Sequence, residues 1–86
     1  METNKHSDDK KEYFFFFGSE KITTEHSTLT GAQIKALIPG FDQTHALVLE
    51  GHGDDPDKTI EDNMTVILNE HGKPKHFYSV PPATFG

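Results

Sequence analysis

The residues of this chain with the clearest chemical potential lie at its end, where Pro81-Pro82-Ala83-Thr84-Phe85-Gly86 follows the last apolar run. A terminal glycine has no Cβ, so it threads a narrow channel and leaves its carboxylate open to activation and attack. A branched residue there would crowd both the activated acyl group and the later acyl transfer. Pro81-Pro82 favours a stiff, extended exit, and six residues at about 3.3 Å each reach roughly 20 Å.

The other chemistry-bearing residues carry weaker signals. Six histidines (His6, His26, His45, His52, His71 and His76) are present, but none pairs at helical i, i+4 spacing and the chain has no cysteine to assist, so no metal site is expected. Most read as loop or strand-edge residues. Ser19, Ser27 and Ser79 lack the strand-to-helix turn that presents a nucleophilic serine, and a chain this short has little room for a substrate pocket. No enzymatic activity and no cofactor are expected. Gly51-His52-Gly53 lacks the third glycine and the following helix of a dinucleotide fingerprint and reads as a turn.

Charge narrows the partners. The net charge is −6, with eight lysines and no arginine, whereas readers of nucleic acid carry a basic, arginine-rich face. Nucleic acid is not expected as a partner. Glu50 to Asp62 holds Glu50, Asp54, Asp55, Asp57, Glu61 and Asp62 against Lys58. Asp54, Asp55 and Asp57 lack the spacing and central glycine of an EF-hand loop, so the run reads as a solvated acidic loop. No stretch approaches the ~18 apolar residues of a membrane span, so no membrane association is expected.

These residues need a scaffold, and 86 residues with 33% apolar side chains and no cysteine suit one small domain without disulfide staples. Residues 1–12 are polar and mixed in charge, a composition that reads as a disordered arm. Tyr13 to Phe17, five consecutive aromatics, ends at Gly18-Ser19 and is followed by Glu20 to Glu25, which reads as a β-hairpin. A two-residue turn pairs Phe17 with Glu20, Phe16 with Lys21, Phe15 with Ile22, Phe14 with Thr23 and Tyr13 with Thr24. Ile22 then marks the core face, and Phe14 and Phe16 lie on the open face, where Phe77 of a neighbouring strand is expected to join them in a recognition patch.

Leu29-Thr30-Gly31-Ala32-Gln33-Ile34 carries a helix start: Thr30 as cap, Gln33 as capping-box partner, and Leu29 against Ile34 as hydrophobic staple. Ile34, Leu37 and Ile38 give one apolar face before Pro39-Gly40 ends the helix. Ala46 to Glu50 reads as a third strand, Asn63 to Leu68 as a fourth, Glu70 to Pro74 as a turn, and Lys75 to Val80 as a fifth. A hairpin, one short helix and three further strands predict an α+β β-grasp: a mixed sheet of four to five strands packed on one helix over residues 13–80, with 81–86 as an extended tail.

Within that frame, Phe15-Phe16-Phe17-Gly18, Thr28-Leu29-Thr30-Gly31 with Ile34 and Leu37, and Phe77-Tyr78-Ser79-Val80-Pro81-Pro82 resemble the bacterial ubiquitin-like proteins of the multiubiquitin-domain family. The likeness spans about Tyr13 to Gly86. It implies a cytoplasmic protein modifier encoded beside dedicated activating, conjugating and deconjugating enzymes, with a role in defence against phage. In such systems the terminal carboxylate is adenylated with ATP, captured by enzyme nucleophiles and passed to a target lysine as an isopeptide bond. Gly86 matches that glycine, and Pro81, Pro82, Ala83, Thr84 and Phe85 match the tail that the enzymes recognise. The chain departs from the eukaryotic ubiquitin tail in having a single terminal glycine after Phe85 and no arginine, so its tail recognition differs. It also holds one domain where the family name implies tandem copies. A non-conjugated β-grasp interaction module is the alternative, and a sulfur carrier a third; the latter normally ends in two glycines.

Overall fold

A computed structural model describes residues 11–83 of the chain. Its first element is the aromatic hairpin. Strand β1 (Tyr13–Phe17) pairs antiparallel with β2 (Glu20–Thr24) in the register Tyr13↔Thr24, Phe14↔Thr23, Phe15↔Ile22, Phe16↔Lys21 and Phe17↔Glu20. Gly18 sits at φ 61° at the first turn position, the backbone that a two-residue turn of this hand needs and that glycine adopts without steric cost. The expected register and face assignment hold for this pair.

Strand β3 (Thr28–Thr30) leads directly into helix α1 (Gly31–Leu37). The capping box forms in full: the Gln33 amide donates to Thr30 Oγ1 at 3.2 Å, and the Thr30 amide donates to Gln33 Oε1 at 2.9 Å. Two further amides of the first turn find loop carbonyls, Gly31 on Met64 at 2.9 Å and Ala32 on Asp62 at 3.1 Å. That approach is possible because residue 31 is glycine: a Cβ there would stand 2.2 Å from the Glu61 carbonyl oxygen. Lys35 fixes the same loop through Asp62 at 2.8 Å.

The chain continues through β4 (Ala46–Leu49), β5 (Lys58–Ile60) and β6 (Thr65–Ile67), passes a single 3-10 turn at Glu70–Gly72, and ends its regular structure in β7 (Lys75–Val80). The main sheet has the order β2-β1-β7-β4-β5, and β3 pairs with β6 in a separate two-stranded sheet. Strand β7 lies in the middle, parallel to β1 and antiparallel to β4. A mixed five-stranded sheet with one short helix is a β-grasp-like α+β architecture.

Two expectations need correcting. The expected fourth strand, 63–68, narrows to β6 and leaves the main sheet to pair with β3; its place is taken by β5, inside the run read as an acidic loop. Leu47↔Ile60 pairing explains why, since Ile60 brings an apolar side chain (3% exposed) to the sheet's buried face. The core consists of Phe15, Ile22, Leu29, Ile34, Ile38, Leu47, Ile60, Val66, Leu68 and Phe77, with Leu29 and Ile34, the two staple residues, both inside it.

Candidate functional site

The face of the sheet opposite the core is the candidate site, and strand alternation decides its membership. Phe14 and Phe16 come from β1, Lys21 and Thr23 from β2, and His76 and Tyr78 from β7, because the β1/β7 register sets Phe16 beside His76 and Phe17 beside Phe77. Phe14 and Phe16 are half-buried and meet edge-to-face, with ring centroids 5.7 Å apart. The Lys21 ammonium lies 4.5 Å from the Phe14 ring centroid, a cation–π arrangement. On the other side the His76 imidazole stacks on Phe16 at 5.0 Å with an interplanar angle of 17°.

Phe77 does not belong to this patch. It is 2% exposed and packs edge-to-face on Phe15 at 5.4 Å inside the core. The reason is the parallel register: with Phe77 level with Phe17, both point to the helix-covered side, and the neighbouring His76 takes the open position. His76 is therefore a patch member that reading the chain as loop-and-edge histidines missed. Its signal lies in a pairing across some sixty residues, which no local pattern records.

The open face continues across β7 and β4. Val48 pairs with Tyr78 on one side and Thr59 on the other, and it is 7% exposed although it lies outside the core cluster. Beside it, Asp57 is held by two donors: the Gly51 amide at 2.9 Å to Oδ1 and the Tyr78 hydroxyl at 2.5 Å to Oδ2. The Gly51 amide, followed by the Tyr78 hydroxyl, lowers the Asp57 pKa by favouring its carboxylate form. The carboxylate in turn raises the Tyr78 pKa by accepting its proton in a hydrogen bond. Part of the acidic run is thus a clip on the sheet rather than a freely solvated loop. Asp54 and Asp55 stay exposed, and Asp62 pairs with Lys35.

Asn69, in the left-handed region at φ 51°, accepts the Phe14 amide on its side-chain oxygen at 3.0 Å. It completes β1 where β7 has not yet begun. Among the described residues no group of three or more His, Cys, Asp or Glu side chains is placed to hold a metal ion, and no helix is long and apolar enough to cross a membrane.

The expected tail falls only partly within the described residues. Pro81, Pro82 and Ala83 follow β7 as exposed, irregular chain. Thr84, Phe85 and Gly86, like residues 1–10 of the expected N-terminal arm, lie outside the described residues. No protein-family model matches the chain, and no curated protein or solved structure matches it.

Proposed function

We propose that this chain is a ubiquitin-like protein modifier, activated at Gly86 and conjugated to target proteins. The observation that supports this most is the route of the chain after the fold. Strand β7 is clamped between β1 and β4, and Pro81, Pro82 and Ala83 follow it as exposed, irregular chain. A diproline exit from a β-grasp-like body favours an extended route, which suits a reacting carboxylate that must enter a deep enzyme site. Its partners are then an activating enzyme that uses ATP, a conjugating enzyme, a deconjugating peptidase and target proteins, in a bacterial cytoplasmic pathway of antiviral defence. The Phe14, Phe16, Lys21 and His76 patch supplies a surface by which such enzymes recognise the body of the modifier.

The test is reconstitution. Full-length protein, its cognate activating enzyme and ATP are expected to give a covalent adduct that mass spectrometry maps to the Gly86 carboxylate. An adduct that persists when Gly86 is deleted, or that maps elsewhere, overturns the mechanism. The same aromatic patch favours a second reading, a β-grasp interaction module that is not conjugated, which predicts patch-dependent binding with no adduct. Thr84-Phe85-Gly86 argues against a sulfur carrier.

A further inference from the structure

We propose that the cleft between the turn after β4 and the segment leading into β7 binds a phosphate monoester through Lys73, Lys75, His52 and His71. The cleft shares no residue with the aromatic patch or the tail, and its ligand does not depend on conjugation.

Separate stretches of chain meet there. The cleft, about 210 Å³, is lined by His52 from the turn after β4, by Glu70, His71, Lys73 and Pro74 ahead of β7, and by Lys75, the first residue of β7. The Glu50 amide donates to the His76 carbonyl at 2.8 Å, which holds the first stretch against the last. Lys73 has extended backbone (φ −108°, ψ 134°) and Lys75 opens a strand. Two residues apart in extended chain, they send their side chains to the same side.

The cleft opposes the charge of the chain around it: two ammonium groups face one carboxylate, Glu70, in a chain of net charge −6. Lys75 contacts Glu70 at 3.3 Å, and an ammonium with one such contact keeps further N–H donors for a ligand. The side chains of His52, His71 and Lys73 have no hydrogen-bond, ion-pair or ring partner among the described residues.

The backbone at His71 adds a second observation. It lies in the left-handed region at φ 55°, which is sparsely populated for a residue with a Cβ. Asn69, also left-handed, offsets that strain with its bond to the Phe14 amide. His71 makes no such bond, so what its strained backbone sets in place is an imidazole on the wall of the cleft.

The donor set selects the ligand. A carboxylate offers two oxygens in one plane, whereas a phosphate monoester offers three in a tetrahedral set and nearly twice the charge, so it engages more of these donors at once. Beyond the shared His52 and Lys75, the adjoining cleft sets Glu50 and Asp55 against Lys58 and carries no cationic excess. The chain's own Asp8-Asp9 is followed directly by Lys10-Lys11, so that arm brings no net negative charge to the cleft. A foreign phosphate is the occupant the site fits.

The first probe is inorganic phosphate, titrated into the full chain at constant low ionic strength, because exposed charges are screened by salt. Backbone NMR is expected to show saturable shifts at His52, His71, Gly72, Lys73 and Lys75, with sodium acetate at equal ionic strength binding more weakly. Lys73→Gln should weaken phosphate binding about threefold, and Lys73→Gln with Lys75→Gln about tenfold. Lys58→Gln, which removes the same charge from the adjoining cleft, should leave it unchanged. His71→Gly should weaken binding without lowering the melting temperature, since glycine takes left-handed backbone freely. A capped phosphoserine peptide separates the sources of the phosphate: tighter binding than inorganic phosphate assigns the site to a phosphorylated side chain, and equal binding assigns it to the free ion.

The absence of saturable shifts, equal binding of acetate, or an equal loss in Lys58→Gln would each overturn the proposal. So would shifts of the cleft amides on Asp8→Asn with Asp9→Asn in the absence of phosphate, because they would give the cleft to the chain's own arm.

Discussion

Phe15 and Phe16 are neighbours in the same strand, carry the same side chain, and meet opposite fates. Phe15 is fully buried against Phe77 under the helix, whereas Phe16 is half-buried between Phe14 and an imidazole. The difference owes nothing to residue type. It follows from a period of two along the strand and from a single helix that covers one side of the sheet. A five-aromatic run is therefore divided, with core rings on one face and a half-buried ring cluster on the other.

The sharpest way to break this comparison is to remove rings from each face. Phe15→Ser or Phe77→Ser should destabilise the fold by about 3–5 kcal/mol, since each leaves a cavity lined by core side chains and a polar group inside it. Phe14→Ser and Phe16→Ser should cost about 1 kcal/mol each, and weaken partner binding more than folding. In a domain of 9.6 kDa the first loss approaches the whole stability of the fold, so thermal melts separate the two groups. Equal melting shifts for Phe15→Ser and Phe16→Ser would show that something beyond the helix covers the open face.

The cover on the core face can be tested next. Gly31→Ala forces a Cβ toward the Glu61 carbonyl, with which it would overlap at 2.2 Å. Either the loop carrying the Met64 and Asp62 carbonyls retreats or the helix does. The expected cost is about 2 kcal/mol, within the range for overpacked contacts. Amide exchange should then quicken in α1 and at Phe15, with little change at Phe14 and Phe16. Alanine is the better helix former, so a stabilised variant would show that the close approach is unimportant.

Much of the core face was legible in the sequence because its signals are local. Gly18-Ser19 sets the hairpin register, and Thr30 with Gln33 sets the helix start within four residues. The open face was legible only as far as the hairpin reaches. Phe14 and Phe16 could be placed on it by counting from the turn, but Phe77 could not, because its side depends on parallel pairing with a strand near the other end of the chain. Strand β5 escaped for a different reason: three residues, Lys58-Thr59-Ile60, within an acidic run give too short a pattern to outweigh the charge. The β3/β6 pair and the Asp57 clip are likewise products of tertiary contact, with partners 21 residues apart in the clip.

That clip ties Tyr78 of β7 to the residue just before β5, and it offers the smallest effect and the most local test. Asp57 and Tyr78 are exposed enough for solvent to screen their bond, so the measurable consequence is in titration more than in stability. A tyrosine titrates near 10 when unperturbed, and the Asp57 carboxylate raises Tyr78 above that value. The bond's stabilisation through Tyr78 is therefore fully present below pH ~10 and lost as the pH rises through the higher folded value. On the acid side Asp57 titrates below its ordinary value of 3.8, so its contribution is present above that value and fades as the pH falls through the lower folded one. Ultraviolet difference titration should show Tyr78 ionising above the ordinary tyrosine range, and Asp57→Asn should bring it back toward the ordinary value. The same variant should quicken exchange at the Gly51 amide, whose acceptor is the other carboxylate oxygen, while leaving the Phe14–Phe16–His76 cluster as it is. If the tyrosine midpoint stays where it was, the clip does not hold in solution, and Val48 and Tyr78 join the aromatic patch as one continuous open surface.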